Sequence, residues 1–236
     1  MADSDAKKMV RLDYKAYFAD NEKIYDTTNE EIAKEADIYN EKYTYEPMAY
    51  VVGSNKLFSA LDEAIGKAEV GKEAEVLIPS EDAAGARNPK LIEIYPIRDF
   101  YKQDINPYPG LQVTLSNRVG TVMSVGAGRV KVDFNSPLAG HDLLYRFTVT
   151  EIIESPEDKA KAIVEVNFGS SDGFAFTFPG DKVSVVLPEI SKFHQEWPVA
   201  RFKIVTDLRE AFGVDTVEFI EIWASAKKES SEEKTE

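Results

Sequence analysis

Side chains able to act as nucleophiles, proton shuttles or soft metal ligands are scarce in this chain. It has no cysteine, which excludes thiol catalysis, disulfides and Cys-ligated zinc. Its two histidines, His141 and His194, lie far apart in sequence. A zinc site would need carboxylates for most of its ligands, which is unusual. The 42 acidic residues follow no ligand or acid–base spacing and read as a solvated surface. Gly126-Ala127-Gly128 lacks the full dinucleotide fingerprint and reads as a hairpin turn. There is no phosphate loop, nor a Ser/His/Asp arrangement with a defined context. No metal or cofactor is expected, and the inventory argues against most hydrolases and metalloenzymes.

The 236 residues suffice for one large domain or two to three small ones, and 13 Phe and 11 Tyr can build substantial cores. A net charge of −14 argues against nucleic-acid partners. No apolar run approaches the roughly 18–20 residues needed to span a bilayer, and the opening MADSDAKK is polar, unlike a secretory signal. A cytoplasmic, soluble protein without membrane partners is expected.

Residues 9–18 alternate Val10, Leu12, Tyr14 and Ala16 against Arg11, Asp13, Lys15 and Tyr17, the period of a half-buried strand. Asp20-Asn21 turns the chain and Lys23 to Asp26 returns it. From Asn29 to Tyr39 a helix is predicted, with Asn29 as its N-cap. Met48 to Val52 reads as a third strand. Lys56 to Ile65 reads as a short helix with Leu57, Phe58, Leu61 and Ile65 on one side. Lys72 to Ile78 reads as a fourth strand. Together with the strand of Leu143, Tyr145, Phe147 and Val149, this predicts an antiparallel sheet wrapped on one helix.

Between Asn88 and Phe134 the character changes. This segment has six basic and four acidic residues, a net +2 within a chain of −14. Leu111–Leu115, Gly120–Val125 and Arg129–Phe134 read as short strands, and Pro89, Pro96, Pro107 and Pro109 stiffen its start. It reads as a small β-rich domain inserted into a loop of the first. Ser155-Pro156-Glu157-Asp158 reads as a break after that domain. Beyond it, Val164, Val166 and Phe168 alternate with the period of a strand, as do Val183, Val185 and Leu187. Pro198 to Phe212 reads as a helix with Phe202, Val205, Leu208 and Phe212 as its apolar stripe. Thr216 to Trp223 closes with a strand. The terminal KKESSEEKTE has no apolar residue and is expected to be disordered.

Asn135 to Tyr145 reads NSPLAGHDLLY, a turn made by Pro137, Ala139 and Gly140 leading into a strand. It resembles the N-x-P-L-A-G-x-x-L-x-F signature that precedes the last strand of SlyD-like FKBP-type peptidyl-prolyl isomerases. The LDY–EKIYDTT opening, the VGSNKLFSALDEAI stretch and an insert in the expected loop agree with it, over roughly residues 8–153. The resemblance implies an α+β fold, an FKBP-like antiparallel sheet wrapped on a short helix. Residues 1–87 plus 135–154 would form the isomerase domain and 88–134 an insert-in-flap domain that binds clients. Residues 159–224 would form a C-terminal α+β domain, and 225–236 a disordered tail. The C-terminal unit is similar to that of longer archaeal-type members, where such a domain is linked to dimerisation. A homodimer through it is one expected assembly.

In that family the pocket is a bowl of aromatic and aliphatic side chains. Matching by motif, the resemblance implies Tyr14 at the first-strand aromatic position, Tyr25 and Asp26 on the Phe-Asp pair, and Tyr50 on a strand aromatic. It puts Leu57 and Phe58 on the Val-Ile pair, Leu61 on the pocket floor and Tyr145 on the final-strand Phe, with Phe147 one step inward. One departure stands out. Glu81-Asp82-Ala83-Ala84-Gly85 places Ala84 where the family commonly has a flap tyrosine whose hydroxyl bonds the substrate carbonyl. The expected activity is isomerisation of X–Pro bonds in unfolded or partly folded proline-containing polypeptides, with the insert holding the client. The alternative, prompted by Ala84, is a client-binding holdase with a weak or inactive pocket.

Overall fold

The computed structural model describes residues 8–41, 43–54 and 56–223. The chain divides into two compact units, Asp13–Glu46 with Ser54–Val149, and Met1–Leu12 with Pro47–Gly53 and Thr150–Glu236.

In the first unit, β1 (Met9–Phe18, from Asp13 onward) pairs antiparallel with β2 (Ile24–Thr27). Helix α1 (Glu30–Glu35) follows, and the Asn29 side chain accepts a bond from Ile32 N, the predicted N-cap. The helix stops short of Tyr39 because Asp37 adopts φ 57°, and Ile38 N donates to Ala33 O across the end. That is a C-terminal cap built without glycine. Helix α2 (Ser59–Lys67) buries Leu61 and Ile65 and packs on β4 (Glu73–Ile78). It begins three residues later than predicted, because Phe58 takes an extended backbone (φ −60°, ψ 140°). Strand β9 (Leu143–Ile152) pairs antiparallel with β4, from Ile78 opposite Leu143 to Glu73 opposite Thr148. The sheet order is β2-β1-β9-β4. Leu143, Tyr145, Phe147 and Val149 point one way along β9 and are all buried, as the alternation predicts.

Between β4 and β9 the chain builds a second, four-stranded antiparallel sheet in order β5-β8-β7-β6. Its strands are β5 (Ile92–Pro96), β6 (Gln112–Leu115), β7 (Arg118–Gly126) and β8 (Arg129–Asp133), with helix α3 (Ile97–Tyr101) after β5. Phe100, Val113, Leu115, Val122, Val130 and Val132 form its core. Strand β5 was not foreseen. It ends on Pro96 at the sheet edge, where a missing N–H is tolerated. The β7–β8 turn is a two-residue hairpin with Ala127 and Gly128 both at positive φ.

In the second unit, Met9 to Leu12 of β1 pair with β3 (Met48–Val51). Helix α4 (Pro156–Phe168) replaces the strand expected around Val164. Ser155 is its N-cap, accepting from Asp158 N at 3.1 Å, and Pro156 opens it, so the presumed break is a helix start. The alternation of Val164, Val166 and Phe168 misled because Ala160, Ile163 and Val164 carry the buried face at helical spacing. Strand β10 (Ala175–Thr177) pairs antiparallel with β11 (Lys182–Val186), which pairs in parallel with β12 (Thr216–Ile220). The crossover is α5 (Glu189–Phe193) and α6 (Trp197–Phe212). The buried face of α6 is Trp197, Ala200, Ile204 and Leu208. Phe202, expected on the apolar stripe, is instead 69% exposed. Among the described residues no helix is long and apolar enough to cross a membrane. The tail expected to be disordered, 225–236, lies outside the described residues.

Gly120 in β7 packs beneath Phe134 and Val132, whose side-chain carbons would lie 2.7 Å from an added Cβ. Gly120→Ala should therefore lower stability by roughly 1–3 kcal/mol, read as a reduced denaturation midpoint. An unchanged midpoint would mean that both neighbours move aside freely.

Candidate active site

The β1–β2 hairpin fixes the first part of the site through its backbone. Tyr14 N donates to Thr28 Oγ1 at 3.0 Å, Thr28 N donates to Tyr14 O at 3.2 Å, and Thr27 Oγ1 donates to Tyr14 O at 2.9 Å. Thr27 and Thr28 are buried. With that register set, Tyr14 and Asp26 are diagonal neighbours on adjacent strands, a separation a long side chain can bridge. The Tyr14 hydroxyl donates to Asp26 Oδ2 at 2.8 Å, and Thr27 N donates to Oδ1 at 2.9 Å. The Asp26 carboxylate is thus held from both sides while the residue stays exposed.

Strand β9 supplies Tyr145, which is 6% exposed. Tyr25 donates its hydroxyl proton to the Tyr145 hydroxyl oxygen at 2.8 Å. The Tyr145 ring lies 6.0 Å from that of Tyr14, 6.2 Å from Tyr25 edge-on, and 6.2 Å from Phe58 edge-on. Edge-to-face pairs at these distances set the positive rim of one ring against the negative face of the next. Phe58 is available for this because it precedes α2 rather than lying within it. Leu57 is half-buried beside it, and Leu61 is buried on the first turns of α2.

Seven of the eight expected residues therefore belong to one compact unit, and Tyr14, Tyr25, Asp26, Phe58 and Tyr145 form a connected cluster. Tyr50 is in the other unit, buried on β3 opposite Val10. Two groups were missed. The Phe18 ring lies tilted at 5.0 Å from Tyr25 and at 4.8 Å from His141, and His141 Nδ1 lies 3.3 Å from Asp20 Oδ2. Phe18 has the same strand parity as Tyr14 and Ala16, the signal that could have found it. Thr27 and Thr28 carried no signal, because their role is a register lock visible only once the strands pair.

The flap and the insert's neck are tied to the NSPLAG segment. Gly140 N donates to Gly85 O, and Ser80 N donates to Asp142 Oδ1 at 2.7 Å. Asn88 N donates to Asn135 Oδ1 at 2.8 Å while Asn135 Nδ2 donates to Asn88 O at 3.0 Å, so the two strands of the neck clasp each other. Beside them Asp133, with a side chain only 2% exposed, accepts from Arg87 and from Asn135. Burial alone would raise its carboxyl, but the bonds from Asn135 and Arg87 outweigh that and hold it below its ordinary value.

Burial raises the hydroxyl pKa values of Tyr14, Tyr25 and Tyr145 above the ordinary tyrosine value, and the proximity of Asp26 adds to each. The site is thus a set of neutral O–H groups on an aromatic wall, with one carboxylate at its edge. Among the described residues no group of three or more His, Cys, Asp or Glu could hold a metal ion.

Comparison with known proteins matches three stretches of the chain to described families. The model for FKBP-type peptidyl-prolyl cis-trans isomerase matches residues 2–98, that for the FKBP26 IF domain residues 93–138, and that for the FKBP26 C-terminal region residues 156–224. A short-type peptidyl-prolyl cis-trans isomerase of Methanocaldococcus jannaschii is 35% identical over 130 residues, covering 55% of this chain and 83% of the relative. The FKBP-type peptidyl-prolyl cis-trans isomerase SlyD of Helicobacter pylori is 29% identical over 132 residues, covering 54% and 70%. A probable FKBP-type 16 kDa peptidyl-prolyl cis-trans isomerase of Pseudomonas fluorescens is 26% identical over 121 residues, covering 49% and 79%.

The raised tyrosines predict an alkaline limit on stability. Folding favours their neutral forms, so their contribution is complete below the unfolded value of about 10. It is lost as pH rises from there toward the folded values, because only the unfolded chain gains from ionising. The denaturation midpoint should fall above about pH 10, and less steeply in Tyr25→Phe. Equal slopes would show that Tyr25 does not contribute.

Proposed function

This chain belongs to the FKBP-type peptidyl-prolyl cis-trans isomerase family, and on that premise we propose that the X–Pro bonds of its polypeptide substrates are twisted on the cluster of Tyr14, Tyr25, Phe58 and Tyr145. Asp26 bounds this surface, and Leu57 and Leu61 extend its apolar side. The observation that carries the reading is the continuity of the cluster, in which rings from β1, β2, β9 and the entry to α2 meet around Tyr145.

The chemistry needs no nucleophile. Resonance across the C–N bond sets a barrier of about 18–20 kcal/mol, and the free reaction takes tens to hundreds of seconds. An apolar, aromatic surface disfavours the charge-separated planar form of the amide. The twisted state has lost that charge separation and is destabilised less. Each tenfold acceleration requires about 1.4 kcal/mol of such preference. Asp26 acts through hydrogen bonding, orienting the Tyr14 hydroxyl, and not as an acid or base.

The insert acts as a holder for unfolded clients. Ile94, Tyr101, Tyr108, Val119 and Met123 are exposed on it, apolar area that its own core does not use. A client held there presents its prolines to the cluster at raised effective concentration. In the C-terminal region Phe193, Phe202 and Trp223 are exposed, with Phe193 edge-on to Trp223 at 6.2 Å. These support self-association as the role of that region.

Two assays test this. Tyr14→Ala and Phe58→Ala should each slow isomerisation of a short X–Pro peptide by about tenfold or more, equivalent to at least about 1.4 kcal/mol. Replacing 88–134 by a short loop should spare the peptide reaction and slow proline-limited refolding of a protein. Intact peptide activity in both point variants would refute the site, and equal loss in both assays on deletion would refute the holding role. Phe202→Glu with Trp223→Ser should halve the mass in solution, whereas an unchanged mass would remove the dimer from the account.

A further inference from the structure

The Tyr25–Tyr145 pair has more hydrogen than it uses. Two hydroxyls share one hydrogen bond, which consumes the proton of Tyr25 and leaves that of Tyr145. Tyr145 is 94% buried by its 6% exposure, and its hydroxyl has no other partner among the described residues. A donor left over at the centre of the cluster is completed by a ligand that reaches it. Accepting from Tyr25 also polarises the Tyr145 O–H bond and strengthens it as a donor. The Tyr145 hydroxyl keeps its proton at neutral pH, as a tyrosine ordinarily does, and burial raises its pKa further.

We propose that Tyr145, aimed by the hydrogen bond from Tyr25, anchors the substrate by donating to a backbone carbonyl that flanks the X–Pro bond. The acceptor is not the oxygen of the rotating amide. That oxygen sheds negative charge as resonance is lost, so a donor placed there would hold the planar form and oppose rotation. A flanking carbonyl keeps its charge throughout, and a bond to it fixes one side of the substrate while the other turns. Tyr145 is then a substrate-anchoring residue and Tyr25 a positioning residue that selects which way its hydroxyl points. The inference rests on the isomerase reading of this cluster and adds the polar contact that orients the peptide.

An anchor that binds planar and twisted forms alike acts on KM. With a short X–Pro peptide, Tyr145→Phe should raise KM about tenfold and leave kcat within about twofold. Tyr25→Phe should raise KM about threefold, and should add nothing in the Tyr145→Phe background, since it acts only through that hydroxyl. Two further peptides replace the amide on one or the other side of the X–Pro unit by an (E)-alkene, which has the shape without the acceptor. On one of them Tyr145→Phe should cost nothing. Unchanged KM in Tyr145→Phe, in a protein that Phe58→Ala inactivates, would overturn the anchor and leave the isomerase reading standing. So would an equal loss on all three peptides, which would mark a structural effect. A parent chain that accelerates none of the peptides would overturn both.

Discussion

The hydrogen bonds between Tyr14 and the Thr27-Thr28 pair are the constraint on which the site depends. They join the short strand β2 to β1 at a single register, and a one-residue slip in an antiparallel hairpin would turn every side chain to the opposite face. At the observed register Tyr14 reaches Asp26, and Tyr25 lies within bonding distance of Tyr145 on β9. The threonines achieve this with buried hydroxyls that are fully bonded, so the lock carries no desolvation penalty left uncompensated. Chemistry that depends on shape and dipoles needs such rigidity more than it needs reactive groups, since sub-ångström placement decides what a neutral hydroxyl can touch.

The same logic explains how the fold carries an insertion between β4 and β9. Lengthening a loop costs little, about 0.6 kcal/mol for each doubling, provided its ends stay where the host fold needs them. The reciprocal Asn88–Asn135 bonds and the ion pair of buried Asp133 with exposed Arg87 hold those ends together. Asn135 is the first residue of the NSPLAG segment, and Gly140 and Asp142 at its other end bond the flap. One short stretch therefore closes the neck of the insert, pins the flap and starts the strand that bears Tyr145.

Much of this was legible from residue order. Alternation along β9 and β1, the Asn29 cap and the hairpin turn at Ala127-Gly128 are local signals, and the local physics that produces them also operates in the folded protein. The failures came where tertiary context chooses between readings. Val164, Val166 and Phe168 fit a strand by parity, yet Ser155-Pro156 caps a helix and Ala160, Ile163 and Val164 bury its face. Phe202 fits a helical stripe with Leu208, but the core lies on the side of Trp197, Ala200 and Ile204. Strand β5 was hidden by its flanking prolines. In the site, residue types were legible and bonds were not. The Tyr25–Tyr145 contact joins positions 120 residues apart, and only the sheet brings them together.

The central claim is that X–Pro rotation occurs on the aromatic cluster around Tyr145. Exchange NMR on a labelled X–Pro peptide, recorded with catalytic amounts of the isotope-labelled protein, tests it most directly. The cis–trans exchange rate of the peptide and the protein resonances it perturbs are read in one sample. The account predicts accelerated exchange, with ring and hydroxyl-bearing resonances of Tyr14, Tyr25, Phe58 and Tyr145 shifting in step with peptide concentration. Accelerated exchange with those resonances unmoved, and shifts elsewhere instead, would contradict it.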